Sequence, residues 1–305
     1  MALNNLDLDA LEIFRTVAVE GGITKAAEKL HRVQSNISTR IMQLEQRLNT
    51  TLFHRINRKL ELTTEGRQLL IYTDRLLQLA EETEASFRTD QISGIFRLGT
   101  MESTAAARLP ELLSQYHRQH AQVRIELVTD TTAGLIEQVQ NYGLDAAFVG
   151  EPVNSEQLDS LVAFEETLVL ITAKEKGFQQ AKDAIQENLI TFRSGCAYRM
   201  YFENWLADEG MSARNSMEMS SYHAITACVA AGTGIAVVPE SVLSVLPAST
   251  NIDRFALPPQ FAKVRTLLIW RKDYQSGKLE SLKQLVRGLS LKRCHDKRAV
   301  NHEQY

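Results

Sequence analysis

The sequence has few of the features that mark a secreted, disulfide-bonded or membrane-spanning protein. Among its 305 residues are three cysteines, Cys196, Cys228 and Cys294, which lie far apart and form no CxxC motif. This spacing argues against a disulfide framework and against a cysteine-rich zinc site. No apolar run approaches the ~20 residues that cross a bilayer, and residues 1–9 lack the positive start and apolar core of a secretory signal. We therefore expect a cytoplasmic chain without membrane contact.

The charges are unevenly distributed along the chain. Between Lys25 and Lys59 there are eight Lys and Arg residues and two acidic ones, whereas between Gly94 and Leu291 there are 18 basic and 22 acidic residues. A basic segment beside an acidic body suggests that only the N-terminal part binds a polyanion. A solvated helix face would give the same counts, so the charges alone leave both alternatives open.

Hydrophobic spacing predicts three short helices at the N-terminus. The first spans Leu8–Glu20, and we expect Thr24 and Ser35 to cap the second and third. The apolar stripe of the third helix consists of Ile37, Ile41, Leu44 and Leu48. The residues of its opposite face, which can hydrogen-bond base edges and phosphates, are Asn36, Thr39, Arg40, Gln43 and Arg47. This pattern predicts a helix-turn-helix whose second helix enters the major groove, with a plain three-helix bundle as the alternative.

A basic hairpin is predicted after the third helix. Arg55, Arg58 and Lys59 precede the alternating sequence Leu60-Glu61-Leu62-Thr63. Two short strands with a basic tip form a wing that suits backbone phosphates or the minor groove.

The N-terminal sequence resembles the DNA-binding domain of LysR-type transcriptional regulators. The run LEIFRTVAVEGGITKAAEKLHRVQSNISTRIMQLEQRLNTTLFHRINRKLELTTEGRQLL carries the resemblance. Its matching positions are Phe14, Gly22-Ile23-Thr24, Ala26-Ala27, Leu30-His31, Gln34, Ser38, Ile41, Leu44-Glu45, Leu52-Phe53, Arg55, Leu62-Thr63 and Gly66. The family implies a winged helix-turn-helix over residues 1–65. The residues expected to contact DNA are Thr24, Arg32, Gln34, Ser35, Asn36, Ser38, Thr39, Arg40, Gln43, Arg55, Arg58 and Lys59. Val33, Asn36 and Thr39 depart from the usual family residues, which affects the operator sequence rather than the fold.

A long amphipathic helix is predicted over residues 66–90. Its wide apolar stripe comprises Leu69, Leu70, Tyr72, Leu76, Leu77, Leu79 and Ala80. So apolar a helix needs a partner, and the resemblance implies an antiparallel pairing with its own copy. Packing against the body of the same chain is the alternative.

From Gly94 onward short apolar strands alternate with helices, which predicts an α/β fold with largely parallel sheets. The segments LPELLSQY, GLDAAFVGE, ITFRSGCAYRMYFENWL, SSYHAITACVAAGTGIAVVPESV and RTLLIWRK resemble the LysR-type effector domain. That resemblance implies a two-lobed fold of the periplasmic-binding-protein type (type 2) over residues 91–291. Lobe I would comprise about 91–163 and 263–291, lobe II about 164–262. We expect residues 292–305 to be a disordered tail.

Ligands of such folds bind at strand C-termini and helix N-termini, where free N–H groups favour anions. The residues expected at the effector site are Thr100, Glu102, Ser103, Thr104, Thr131, Thr132, Gly150, Ser194, Cys196, Arg199, Ser221 and His223. Arg199 could grip a carboxylate in bidentate fashion, or it could form a salt bridge with Glu203 one turn along. Cys196 raises the alternative of a thiol sensor, which the distance in sequence to Cys228 disfavours. His223 is expected to be an ordinary histidine, because no further metal ligand lies nearby at ligand spacing.

These patterns favour a ligand-responsive, sequence-specific transcription regulator over a solute-binding protein or an enzyme built on the same two-lobed scaffold. The sequence contains no serine–histidine–acid arrangement, phosphate loop or dinucleotide motif, so we expect no enzymatic activity, cofactor or metal. The expected partners are double-stranded promoter DNA, a carboxylate or amino-acid-like effector between the lobes, further copies of the chain in a dimer of dimers, and RNA polymerase as a candidate.

Overall fold

The computed structural model describes residues 6–56, 59–86, 92–211, 216–246 and 251–300. The chain forms two compact units, the first of which ends at Asp90 and takes in Asn141–Gly143. None of the helices in the described ranges is long and apolar enough to span a membrane.

The first unit is a winged helix-turn-helix followed by a long helix. Its elements are α1 (Leu8–Glu20), α2 (Ile23–Lys29), α3 (Gln34–Leu48), β1 (Phe53–Ile56), β2 (Lys59–Leu62) and α4 (Thr64–Ser86). Helix α1 has the predicted limits: Asp7 accepts a hydrogen bond from the N–H of Asp9 at its start, and Gly21 ends it in the left-handed region (φ 68°). Apolar side chains from α1, α2, α3 and β1 form one core.

Three predictions for α2 and α3 are wrong. Thr24 lies inside α2, whose N-cap is Gly22, and Ser35 lies inside α3, whose N-cap is Val33. Neither helix has a side-chain cap, because glycine and valine have no side-chain oxygen that could accept a hydrogen bond from the first turn. Leu48 is 38% exposed, since α3 ends there and leaves the core that Ile37, Ile41 and Leu44 occupy.

Polar and small residues fix the wing to the helices. The Glu45 carboxylate accepts a hydrogen bond from the N–H of Leu52 (2.7 Å), and the Thr63 hydroxyl accepts one from the N–H of Gly66 (2.8 Å). A Cβ on Gly66 would lie 2.2 Å from the Leu52 carbonyl oxygen, so no larger residue fits. The start of α4 therefore packs directly on the strand that begins the wing.

The second unit contains the remaining elements. Its strands are β3 (Gly94–Thr100), β4 (Val123–Thr129), β5 (Ala146–Gly150), β6 (Leu158–Ala173), β7 (Leu189–Phe192), β8 (Ser216–Met219), β9 (Ala236–Pro239), β10 (Ile252–Ala256) and β11 (Lys263–Arg271). Its α-helices are α5 (Glu102–Ala107), α6 (Leu109–Gln119), α7 (Thr132–Gln140), α8 (Ala197–Asp208), α9 (Tyr222–Ala230), α10 (Glu240–Leu243), α11 (Pro259–Ala262) and α12 (Gly277–Val300). Two 3₁₀ turns, Lys174–Lys176 and Ala181–Ala184, complete it.

One long strand, β6, joins the two lobes. Up to Thr167 it pairs with β11, and from Leu168 it pairs with β9 and β10. The lobe I part of the sheet follows the order β6-β11-β5-β3-β4, while β7 and β8 form a separate pair in lobe II. The chain passes from lobe I to lobe II along β6 and returns at the start of β11.

The sheets are mixed rather than largely parallel. The pairs β3–β4, β3–β5 and β7–β8 are parallel, whereas β5–β11 and every pairing of β6 are antiparallel. Strand β6 leads from lobe I into lobe II, and β11 leads back into lobe I. Because the two strands are adjacent and run in opposite directions, they pair antiparallel.

The predicted disordered tail also differs from the structure. Helix α12 continues to Val300, through most of the segment that begins at Lys292, and residues 301–305 lie outside the described part. The continuation agrees with the composition, because residues 289–300 contain neither proline nor glycine and are rich in Leu, Lys, Arg and Ala.

Candidate DNA-binding and effector sites

The polar face of α3 is open to solvent. Ile37, Ile41 and Leu44 are buried against α1 and α2. Elsewhere on α3 six of the predicted DNA contacts are exposed, namely Gln34, Ser35, Asn36, Ser38, Thr39 and Gln43, and the predicted contacts Thr24 of α2 and Arg32 of the turn are exposed as well. The turn before α3 is tight: His31 adopts φ 53°, and the N–H of Arg32 donates to the Ala27 carbonyl (2.9 Å). This geometry presents one helix with its hydrogen-bonding face outward.

Two predicted DNA-contacting arginines are paired with acidic residues near the start of α1. Arg32 binds Asp9 with both terminal nitrogens, one of them at 3.0 Å, and this hydrogen bond lowers the pKa of the Asp9 carboxyl. Arg40 is held more loosely, 3.6 Å from Asp7 and 3.8 Å from Asp9. Arg40 is therefore the easier of the two to release toward a phosphate or a base.

The remaining predicted contacts belong to the wing. Arg55 lies in β1 and Lys59 in β2, and their side chains lie outside the described part of the structure. Arg58, at the predicted tip, also lies outside it.

A pocket of about 220 Å³ opens between the lobes of the second unit. Lobe I contributes the residues that follow β3 and β4, whose parallel strands end at the same edge of the sheet. Lobe II contributes the loops that precede α8 and α9. The lining residues are Met101, Glu102, Ser103, Thr129, Asp130, Thr131, Thr132, Phe192, Arg193, Cys196, Tyr198, Ser220 and Tyr222.

The pocket contains five of the twelve predicted effector residues: Glu102, Ser103, Thr131, Thr132 and Cys196. Thr100 and Thr104 are buried beside it, and Ser221 and His223 lie at the start of α9 outside the lining, with His223 exposed. Gly150 has a packing role, because a Cβ there would lie 2.7 Å from the Cβ of Ala197 at the start of α8. Its N–H also donates to the Thr132 hydroxyl (3.3 Å).

Arg199 and Ser194 line a different groove, of about 410 Å³, which also includes Glu151 and Glu203. The Arg199 guanidinium donates to Glu203 (2.7 Å), to Glu218 of β8 and to the Phe192 carbonyl (3.1 Å). The salt-bridge alternative is therefore the one that the structure contains. The Arg199 side chain faces this groove, which shares Thr132 and Cys196 with the pocket, and β8 brings a second carboxylate to it.

Glu102 is one of two acidic residues that line the pocket, the other being Asp130. Its Oε1 accepts a hydrogen bond from the N–H of Tyr222 in lobe II (3.4 Å), while its Oε2 is buried without a hydrogen-bond partner. Burial raises the pKa of this carboxyl. Beside it the rings of Phe192 and Tyr222 lie 4.5 Å apart.

The thiol of Cys196 is half-buried in the same wall. Burial raises the pKa of this thiol above its usual range. Since the thiolate is the reactive form, a raised pKa opposes a role as a redox sensor.

The two lobes meet at the mouth of the pocket through three contacts. Asp130 of lobe I forms an ion pair with Arg193 of lobe II, and the N–H of Ala133 donates to the Gly195 carbonyl (3.1 Å). Gly195 adopts φ 87°, and a Cβ there would lie 3.1 Å from Thr131. The third contact is the hydrogen bond between Glu102 and Tyr222, so the lobes are closed on each other.

Sequence reasoning missed the residues that close the pocket. Asp130, Arg193, Tyr198 and Tyr222 are not among the twelve residues expected at the effector site, because their residue types alone do not distinguish them from ordinary loop and helix residues. Their signal was their position next to the predicted loops, each one or two residues from a residue that had been named.

Comparison with known proteins identifies both domains. Residues 8–67 match the model for the bacterial regulatory helix-turn-helix protein, lysR family, and residues 89–290 match the LysR substrate binding domain. The chain is 37% identical over 264 residues to the HTH-type transcriptional regulator YofA of Bacillus velezensis, covering 86% of this chain and 91% of the relative. It is 35% identical over 270 residues to the regulator SoxR of an Arthrobacter species, covering 88% and 92%.

A solved structure of full-length CbnR complexed with its target DNA has the same fold. It superposes with a TM-score of 0.67 at 22% identity, over 92% of this chain and 99% of that one. The exposed face of α3 and the pocket between the two lobes agree with the family models and with the regulators above. The chain belongs to the LysR-type DNA-binding transcription regulators, with an N-terminal helix-turn-helix and a C-terminal effector-binding domain.

Proposed function

We propose that the chain regulates transcription from particular promoters and that a small carboxylate or amino-acid-like metabolite, bound between the two lobes, controls its activity. The observation that carries the proposal is the closed pocket that polar residues of both lobes line. Its volume lies below the ~300–1,000 Å³ of pockets for drug-sized ligands, which favours a small metabolite. A ligand that binds the closed arrangement better than the open one shifts the equilibrium by that difference in affinity.

For DNA recognition the proposal assigns base contacts to Asn36, Thr39, Arg40 and Gln43. They share the outward side of α3, opposite the buried stripe. The wing residues Arg55, Arg58 and Lys59 would bind phosphates, as Arg32 would if DNA drew it away from Asp9. An activating role would add RNA polymerase as a partner.

Genome-wide footprinting with the purified protein tests the DNA side and identifies the operator. On that operator Arg40→Ala should cost about 1–3 kcal/mol of binding and relax one base position. Lys59→Ala should instead weaken binding to all sequences and flatten its salt dependence. Arg124→Ala is the matched control, because Arg124 is an exposed arginine of the second unit. Operator affinity that is unchanged in both test variants would rule out this assignment.

Titration calorimetry on the full chain tests the effector side. A ligand should bind the wild-type protein and alter its operator affinity or its footprint. Arg199→Ala should bind that ligand normally, because Arg199 is engaged by Glu203 and Glu218 outside the cleft pocket.

A further inference from the structure

The charges that line the cleft pocket are unbalanced. Among the described residues, three lining side chains carry charge: Glu102, Asp130 and Arg193. Arg193 is already paired with Asp130, whose carboxylate also accepts hydrogen bonds from the N–H of Thr131 (2.7 Å) and from Gln138 (3.1 Å). That leaves Glu102 as the charged group whose requirements the protein does not meet.

Glu102 has one oxygen bound and one free. Oε1 bonds the backbone of the opposite lobe, and Oε2 is buried with no hydrogen-bond donor of the protein. A buried carboxylate oxygen costs free energy unless a cation or a hydrogen-bond donor meets it. The free oxygen therefore carries a proton or gains a hydrogen-bond donor from water or from a ligand that enters the pocket, and a cationic donor supplies the missing charge as well.

Resting on the proposed function, we infer that the effector carries a primary ammonium group and that this group binds Glu102 in the cleft pocket. An ammonium group supplies a full positive charge and three N–H donors, so it satisfies the free oxygen. Phe192 and Tyr222 also line the pocket, and aromatic rings favour a cation over an anion.

A simple carboxylic acid is less suitable as a ligand, because it is an anion without an ammonium group. Its carboxylate would enter a pocket with two acidic side chains and one arginine, which is already paired. Like charges at close range oppose binding. An amino acid remains suitable, because its ammonium group would compensate for the acidic side chains while its carboxylate accepts a hydrogen bond from a lining hydroxyl such as that of Thr131.

Matched sets of small molecules distinguish an amino acid from a simple amine as the ligand that supplies the ammonium group. Each set contains an amino acid, the amine without its carboxylate, and the acid without its amino group. Two such sets are valine, isobutylamine and isovalerate, and phenylalanine, phenethylamine and 3-phenylpropanoate. All twenty amino acids and their amine and acid counterparts would be titrated into the full chain at millimolar concentrations. Binding of both the amino acid and the amine supports the inference. Binding of the amino acid alone would show that the pocket requires the carboxylate of the ligand as well as its ammonium group.

The variant Glu102→Gln tests the role of the carboxylate. The affinity for the ammonium ligand should fall by about 30-fold or more, because a charged contact is lost in a buried site. Glutamine keeps the size and the acceptor for Tyr222, and operator binding by the variant would show that it is folded. Arg199→Ala, outside the cleft pocket, is the matched control and should keep full affinity.

The pH dependence gives a further readout. Because burial raises the pKa of Glu102, the carboxylate form grows as the pH rises, so an ammonium ligand should bind more tightly at about pH 7 than at about pH 5. An acid that accepts a hydrogen bond from protonated Glu102 would show the reverse trend.

The outcomes distinguish the inference from the proposed function. If acids bind and amines do not, or if Glu102→Gln binds the ammonium ligand normally, the inference is overturned while an effector pocket remains. If no member of the panel binds or changes operator affinity, the proposed control by a carboxylate or amino-acid-like metabolite itself fails.

Discussion

Glu102 shows at the scale of one residue how a binding site can oppose stability. Its pKa is raised in the folded chain, so folding favours the protonated form. Such a group contributes stability at pH values below its unfolded pKa, and this contribution is lost as the pH rises through the folded pKa. Ionised Glu102 therefore destabilises the ligand-free protein near neutral pH, which is a common cost of a functional site.

We expect Glu102→Gln to unfold at a higher temperature than the wild-type protein at about pH 7. At about pH 4, where the carboxyl is protonated, the two proteins should unfold together. Calorimetric scans across this range, without ligand, would measure the difference. A variant that is less stable than wild type at neutral pH would show that the carboxylate has a protein partner after all.

Gly66 carries a second residue-scale prediction. Its missing Cβ lets α4 approach the carbonyl oxygen of Leu52. Gly66→Ala should destabilise the first unit by about 1–3 kcal/mol, the usual cost of overpacking, and weaken operator binding. Gly288→Ala is the matched control, because a Cβ on Gly288 meets nothing within 4 Å and alanine favours the helix. Both variants would be unfolded in urea, and their operator binding would be measured separately. Equal stability and equal operator affinity of the two variants would contradict the prediction.

At the scale of elements, the sequence predicts an element correctly where the apolar periodicity ends at a residue that terminates a helix or strand. Helix α1 has the predicted limits because its apolar stripe ends at Gly21, which adopts a positive φ. Strand β7 corresponds to a short apolar run in the sequence, since it is largely buried. Strands β8 and β10 have no such signal: β8 is mostly exposed and β10 alternates, so neither forms a continuous apolar run.

Strand β8 explains the part of the Arg199 environment that the sequence does not indicate. The Glu203 partner is one turn away on the same helix and was one of the two expected partners. Glu218 was not expected, because it comes from β8, 19 positions along the chain. The other half of the pocket could be predicted, since the parallel strands β3 and β4 bring the loops after them together wherever such a sheet forms.

A buried ion pair lies where β6 passes from one lobe to the other. Arg108, between α5 and α6, donates two hydrogen bonds to Glu166 (2.6 and 2.9 Å), and Ser241 of α10 donates a third (2.8 Å). The Glu166 side chain is 3% exposed. The pairing of β6 changes sheets just after this residue, so the cluster holds three elements together at the crossing.

Arg108→Ala should therefore destabilise the second unit by about 3–5 kcal/mol, since it leaves a buried carboxylate without its cation. The surface pair of Arg124 and Glu126 offers the control, and Arg124→Ala should cost less than about 1 kcal/mol. Urea denaturation of the two variants would measure both values. Equal stability of Arg108→Ala and Arg124→Ala would mean that water or another group replaces the lost cation.

For the whole molecule, two apolar surfaces suggest that the chain works as an oligomer. On α4 the side chains of Tyr72, Leu76 and Leu79 are 51%, 38% and 60% exposed. Strand β4 forms an edge of the large sheet, with Leu127 and Val128 about as exposed as Leu76. Exposed apolar helices and open strand edges are unstable in water unless another chain covers them.

We predict a dimer of dimers in which one contact uses α4 and the other uses the second unit. Paired helix-turn-helix domains match the half-sites of an operator, so a closed symmetric assembly fits this function. Light scattering at micromolar concentration should give four times the 34.3 kDa of one chain. Leu76→Glu with Leu79→Glu should break the α4 contact, reduce the mass and weaken operator binding, because single domains lose the second half-site. Val19→Glu changes an equally exposed valine of α1 and should leave the mass unchanged. A wild-type protein that is monomeric at this concentration, or a double variant with unaltered mass, would contradict the proposed contact.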